Sequence, residues 1–172
     1  MGRVLRFGLY FLGAVFLLIQ FVSADRPPSS PRPNTDLLGS GQVPGVIASM
    51  LKTSCYDCHS VETIYPWYSY VAPVSWLVAE DVRHGRDELN LSNWQELTTR
   101  RKVRYLDDIK EVIQEGDMPL PKYLRMHADA KLTDEQRRQI VQWAAAFQQQ
   151  IMNEPEPDDE DDDEEDEIDE EN

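Results

Sequence analysis

The sequence predicts a small all-α domain held between an apolar N-terminal segment and an acidic C-terminal tail. Three observations carry that expectation. Apolar residues recur at helical spacing in several separate windows. No stretch alternates apolar and polar residues between turn signals, so strands are not expected. Two words of the form Ser/Thr-x-x-Gln, Ser92–Gln95 and Thr133–Gln136, have the pattern of helix capping boxes. The chain has 172 residues, and setting aside the leader and both polar ends leaves about 110, enough for one domain. No internal repeat is seen.

Residues 1–24 read as a signal peptide or membrane anchor. Arg3 and Arg6 precede an apolar run from Phe7 to Val22, the charged and apolar regions of a secretory leader. Val22-Ser23-Ala24 offers small residues for cleavage before Asp25. The run spans 16 residues with Gln20 inside it. That is slightly long for a leader and short of the ~20 residues of a transmembrane helix, so cleavage and retention both fit. The two arginines would stay in the cytoplasm, so the rest of the chain would face the far side of the membrane. Lipidation has no foothold near the run, because the first cysteine is Cys55 and position 6 is Arg rather than Ser or Thr.

Residues 25–41, "DRPPSSPRPNTDLLGSG", are rich in Pro, Ser and Gly and predict a stiff, extended spacer rather than packed structure. The domain follows over 42–152. Val43, Ile47, Met50 and Leu51 predict a short helix running into Cys55. Ala72-Pro73 opens another, with Val74, Leu77 and Val78 on one face, Arg83 and His84 near its negative end, and Gly85 as its stop. The Ser92 box starts a third, whose apolar side begins with Trp94 and Leu97. Leu106, Ile109, Val112 and Ile113 then resume the helical period up to Gly116. The Thr133 box starts the last, with a stripe of Ile140, Trp143, Ala144 and Phe147. The domain is expected to hold about five short helices.

Residues 153–172 form the tail. From 154 onward it holds 15 acidic residues and no basic one. The whole chain has 32 acidic and 17 basic residues, so the remainder balances at 17 against 17 and the low pI belongs to the tail. Such a block repels itself and is expected to be disordered, as a solubility tail or a steering arm for a basic partner. The lack of a basic face argues against nucleic-acid binding.

Both cysteines of the chain lie in Cys55-Tyr56-Asp57-Cys58-His59. In Cys-x-x-Cys-His the two thiols add across haem vinyl groups and the imidazole ligates iron from the proximal side. One turn of chain carries the sulfurs to neighbouring vinyls and turns the next residue under the metal. The pattern therefore predicts one covalently attached haem c, with Cys55, Cys58 and His59 as its binding residues. Three other readings compete. A zinc site lacks a second ligand pair, since no cysteine remains and His84 and His127 are isolated. A redox dithiol should follow a strand in a βαβ pattern, which is missing. A Cys55–Cys58 disulfide would close too short a loop to restrain the unfolded chain much.

A sixth iron position would remain, and Met50, Met118, Met126, Met152, His84 and His127 are the candidates. Met118 stands out in "QEGDMPLP", after a helix stop and between backbone-restricting prolines at 119 and 121. A thioether opposite imidazole raises the potential, a common arrangement in electron transfer. His127, in a loop before the last helix, is the main rival, with His84 behind it; an open position is the other alternative. Met50 fits core filling better, within a helical stripe. Trp67, Tyr68, Tyr70 and Trp76, in "YPWYSYVAPVSWLV", are expected to wall a haem pocket or to reach its propionates.

The order of a short helix, Cys55–His59, helical middle segments, Met118-Pro119 and a capped last helix resembles class I cytochromes c. "SCYDCHSVETIYPWYSYVAPVSWLVAEDVRHGRDELNLSNW" and "GDMPLPKYLRMHADAKLTDEQRRQIVQWA" look more specifically like the bacterial haem-binding domain family, over about residues 43–148. The resemblance implies a cytochrome c-like helical domain around one haem, with His59 and Met118 as axial ligands. It implies an exported monohaem cytochrome that passes single electrons between redox partner proteins at the membrane or in the periplasm. A haem-based ligand sensor and a haem peroxidase are the alternatives, and an electron carrier is expected over an enzyme because no nucleophile–base pair has supporting context. The acidic tail lies outside the resemblance, and the long aromatic middle departs from a minimal cytochrome c.

Overall fold

The computed structural model describes residues 2–154, and the regular structure among these residues is helical throughout. The acidic tail beyond Glu154, with the disorder expected of it, lies outside the described residues. The helices are α1 (Gly2–Ile19), α2 (Gly45–Ser54), α3 (Tyr56–His59), α4 (Val74–Glu88), α5 (Thr99–Glu115), α6 (Pro121–Leu124) and α7 (Asp134–Asn153). Short 3-10 turns at Leu37–Ser40, Trp67–Tyr70, Leu91–Glu96 and Ala128–Ala130 connect them. α1 carries Arg3 and Arg6 in its first turns and is apolar from Phe7 onward; it buries no residue and is long and apolar enough to cross a membrane by length and composition.

The core forms around an antiparallel pair, α5 and α7. At one end the Arg137 guanidinium donates to the Ile113 carbonyl, and at the other the Gln148 amide donates to the Val103 carbonyl. Between them Leu106, Ile109 and Ile113 meet Ile140, Ala144, Phe147 and Ile151 in one buried cluster. Each fully buried side chain of this kind contributes roughly 1.5–3 kcal/mol relative to exposure. Gln148 is buried among them and is satisfied on both sides, because its carbonyl also accepts from Lys110 Nζ at 2.8 Å. α2 crosses α7 and adds Ile47 and Leu51 to the same cluster.

Helix boundaries follow local chemistry in several places. The Thr133 capping box forms in both directions, with Thr133 Oγ1 accepting from the Gln136 amide and Gln136 Oε1 accepting from the Thr133 amide. Gly116 ends α5 at φ +81°, a left-handed position that strains other residues. Its N–H and those of Asp117 and Met118 converge on the Val112 carbonyl.

Three expectations need correction. Gly85 does not end the second domain helix; α4 runs through it to Glu88. Ser92 does not open a long helix. Its hydroxyl is taken up in the interior, accepting from the Val61 amide and donating to Asp36, so residues 91–96 form a 3-10 turn and Thr98 caps α5 instead. Residues 25–41 pack on the domain rather than standing off as an extended spacer. Proline leaves carbonyls without helical partners, and domain side chains take them: Tyr65 donates to the Pro27 carbonyl at 2.6 Å and Arg86 to that of Pro28 at 3.0 Å. The segment ends with Asp36 and Leu37 fully buried.

Candidate haem-attachment site

α2 ends where the Cys55 amide donates to the Leu51 carbonyl at 2.8 Å. The chain then makes one further turn, α3, closed by the His59 amide donating to the Cys55 carbonyl at 2.9 Å. Cys55, Cys58 and His59 thus share a single turn. Both cysteines are free thiols and half-buried. Burial pushes each thiol up to about 12, with the neighbouring sulfur adding to the effect at Cys55 and Asp57 adding to it at Cys58. The two sulfurs are therefore held as protonated thiols rather than as a reactive thiolate pair.

His59 is oriented by its Nδ1, which lies 3.0 Å from the Leu89 carbonyl. A carbonyl only accepts, so Nδ1 carries the proton and Nε2 keeps a free lone pair. Burial lowers the imidazole's proton affinity, which favours this neutral form. An outer partner that holds one ring nitrogen and presents the other is the usual support of a metal-ligating histidine.

The turn is locked from three directions. Tyr56 is buried and donates to Asp36 at 2.9 Å. Asp36, wholly buried, also accepts from the Leu38 amide and the Ser92 hydroxyl. From α4, Arg86 reaches the Ser60 carbonyl and the Thr63 hydroxyl, while Thr63 donates to the Asp57 carbonyl. From α6, Tyr123 donates to Asp57 Oδ2 at 2.9 Å, and the other Asp57 oxygen accepts from the Ile64 amide. Gly85 completes the seat. A Cβ there would lie 2.7 Å from the Cys58 carbonyl oxygen and 3.0 Å from its carbonyl carbon and Cβ. Only a residue without a side chain lets the motif turn approach α4 so closely.

The remaining candidates are spread around this turn. Met118 is half-buried, packs on the core cluster that also contacts Cys55, and has its amide held by Val112. His127 is engaged: Tyr68 Oη lies 2.6 Å from its Nε2, and Tyr123 stacks on its ring at 4.1 Å. His84 is exposed on α4 beside Glu80. Of the aromatic word, Tyr68 turns inward to His127. Trp67 is 74% exposed and Tyr70 59%, and the Trp76 indole donates to the Val22 carbonyl. Met50 packs partly buried against the core, as its stripe implies.

The residues present fit a haem. Two thiols and an imidazole with a free Nε2 are the donor set, and the Gly85 cradle gives the turn a fixed seat. Trp143 Nε1 is the only buried side-chain polar atom among the described residues without a partner, a donor in the same core cluster as Cys55 and Met118 that a carboxylate-bearing group would satisfy. Sequence reasoning missed Asp36, Gly85, Arg86 and Tyr123. Asp36-Leu37-Leu38 carried a capping signal inside a Pro-rich stretch, whereas Gly85 carried none that separates a close approach from a helix stop.

Comparison with known proteins points the same way. A family model described as haem-binding domain matches residues 14–146. Cytochrome c peroxidase Ccp of Escherichia coli strain K12 is 26% identical over 103 residues, which cover 58% of this chain. The aligned part is 22% of that protein, so the chain spans about a fifth of its length. No solved structure matches.

Proposed function

The chain belongs to the haem-binding domain family, and from that premise we propose an exported, membrane-anchored monohaem cytochrome c that transfers single electrons between proteins on the periplasmic side. The observation that carries this reading is the shared turn of Cys55, Cys58 and His59, with His59 Nδ1 tied to Leu89 and Nε2 free. Cys55 and Cys58 would each form one thioether with a vinyl group. His59 Nε2 and the Met118 sulfur would hold its iron. Haem held there would supply a one-electron iron couple.

The chain's own part is positioning. Asp36 through Tyr56, Tyr123 through Asp57, and Arg86 through Ser60 would hold the motif turn in place. That rigidity suits outer-sphere transfer, where little rearrangement should accompany a change of charge. The Trp143 N–H offers a buried donor to a propionate. The test is expression in an export-competent host that builds c-type haem, followed by an alkaline pyridine spectrum and the intact mass. One covalent haem, lost in Cys55→Ala/Cys58→Ala, is expected. Colourless protein at the mass of the polypeptide refutes the reading.

A second reading draws on the similarity to cytochrome c peroxidase Ccp. It requires an iron position open to peroxide. It predicts peroxide turnover and ready carbon monoxide binding by the unaltered protein, neither of which a methionine-ligated carrier shows.

A further inference from the structure

α1 does not end in a loose tether. The Gln20 side chain, one residue past the helix, donates to the Ala72 carbonyl at 3.1 Å and accepts from the Ala72 amide at 3.0 Å. Ala72 is 3% exposed, so Gln20 satisfies the backbone of a buried residue of the domain. The next turns of chain are held as well. The Trp76 indole donates to the Val22 carbonyl at 3.0 Å, and the Arg26 guanidinium donates to the Ser69 carbonyl at 2.8 Å while lying 4.1 Å from the Tyr70 ring centre. The family match begins at residue 14, inside α1, so it takes in this junction.

Around Ala72 the surface is unusually apolar. Trp67 and Tyr70 share one side of the 3-10 turn before it, and Val74 and Leu77 share one side of α4 after it. They are 74%, 59%, 40% and 58% exposed, and Ile64 nearby is 73% exposed. All but Ile64 lie within five residues of the point where α1 is clamped. From Val74 to Leu77 α4 rises about 4.5 Å, within the thickness of one headgroup layer, about 5–7 Å. Trp and Tyr mixed with aliphatic residues is the composition of a membrane–water interface.

We propose that this face of the domain, bearing Ile64, Trp67, Tyr70, Val74 and Leu77, rests in the headgroup layer of the same bilayer that α1 spans. The occupant is phospholipid. α1, exposed along its length, is the only described helix fit to enter a bilayer, and the Gln20–Ala72 pair leaves no slack to lift the face away from it. The domain would thus be held in one orientation on the membrane, not swung on a linker. The proposal rests on the anchored reading of α1 and is independent of haem attachment.

The experiment uses the full chain, haem-loaded, in vesicles of phosphatidylethanolamine and phosphatidylglycerol and in the membranes of the expression host. A benzophenone-bearing amino acid replaces Trp67 or Leu77 and, as control, exposed Arg138 on α7. Illumination should yield adducts one phospholipid heavier at positions 67 and 77, at least ten-fold above position 138. Gln20→Leu should cut the yield at 67 and 77 several-fold while the chain stays in the membrane. Equal yields at all three positions, protein adducts in place of lipid at 67 and 77, or yields unmoved by Gln20→Leu overturn the proposal. A chain released into solution with Asp25 at its N-terminus overturns it together with the anchored reading. Haem staining of the same samples reports separately, so lipid adducts on a haem-free chain would refute only the cytochrome reading.

Discussion

Gly85→Ala is the sharpest probe of how the motif turn is held. In an exposed helix interior this change ordinarily stabilises by about 1 kcal/mol, because alanine is the better helix former. Here the new Cβ would meet the Cys58 carbonyl oxygen at 2.7 Å, and the carbonyl carbon and Cβ at 3.0 Å. Two of these three atoms are backbone, pinned by Arg86, Thr63 and Tyr123 on either side, so relief requires moving α4 or the turn. Overpacking of this kind costs about 1–3 kcal/mol, and three close contacts place it near the upper end. The net loss is therefore roughly 2 kcal/mol, or a fall in Tm of roughly 8 °C or more for a domain of this size. Shifting α4 also moves the Leu89 carbonyl that orients His59, so the yield of haem-bearing protein should fall with Tm. The assay is a thermal melt followed by circular dichroism, with the haem-to-protein absorbance ratio of the purified material. Gly45→Ala is the control, since a Cβ there meets nothing within 4 Å. A Gly85→Ala protein as stable as Gly45→Ala, with the same haem ratio, would refute the idea that the turn is seated on α4.

Other perturbations test the remaining supports. Asp36→Ala strips the acceptor from the Tyr56 and Ser92 hydroxyls and the Leu38 amide, and leaving buried donors unpaired costs about 1–3 kcal/mol each; a loss of at least ~3 kcal/mol in urea unfolding is expected, against less than ~1 kcal/mol for Glu62→Ala in the partly exposed Arg32 pair. Met118→Ala should abolish the methionine-to-iron charge-transfer band of the oxidised protein and let carbon monoxide bind; a band that survives, or a low-spin spectrum lost only in His127→Ala, would remove Met118 as ligand. Deleting residues 154–172 should slow association with a basic electron-transfer partner at low ionic strength and flatten its salt dependence; an on-rate indifferent to both would leave the tail a solubility segment.

What could be read without the fold was local. Two thiols and an imidazole within five residues point to covalent haem attachment, because the chemistry is confined to one turn of chain. The helices containing Ile47, Ile109 and Ile140 were legible for the same reason: their apolar spacing and the Thr133 cap act within four residues. The tertiary structure decided what depends on residues far apart in sequence. Asp36 in a proline-rich stretch becomes the buried support of Tyr56, 20 positions on. Gly85, whose chemistry alone suggests a helix stop, is instead the place where Cys58 comes too close for a side chain. Trp67 and Tyr70, apolar enough to suggest a pocket wall, are exposed, and the segment just past α1 docks beside them at Ala72. A residue's type limits the contacts it can make, but which contact it does make depends on where the chain brings its partner.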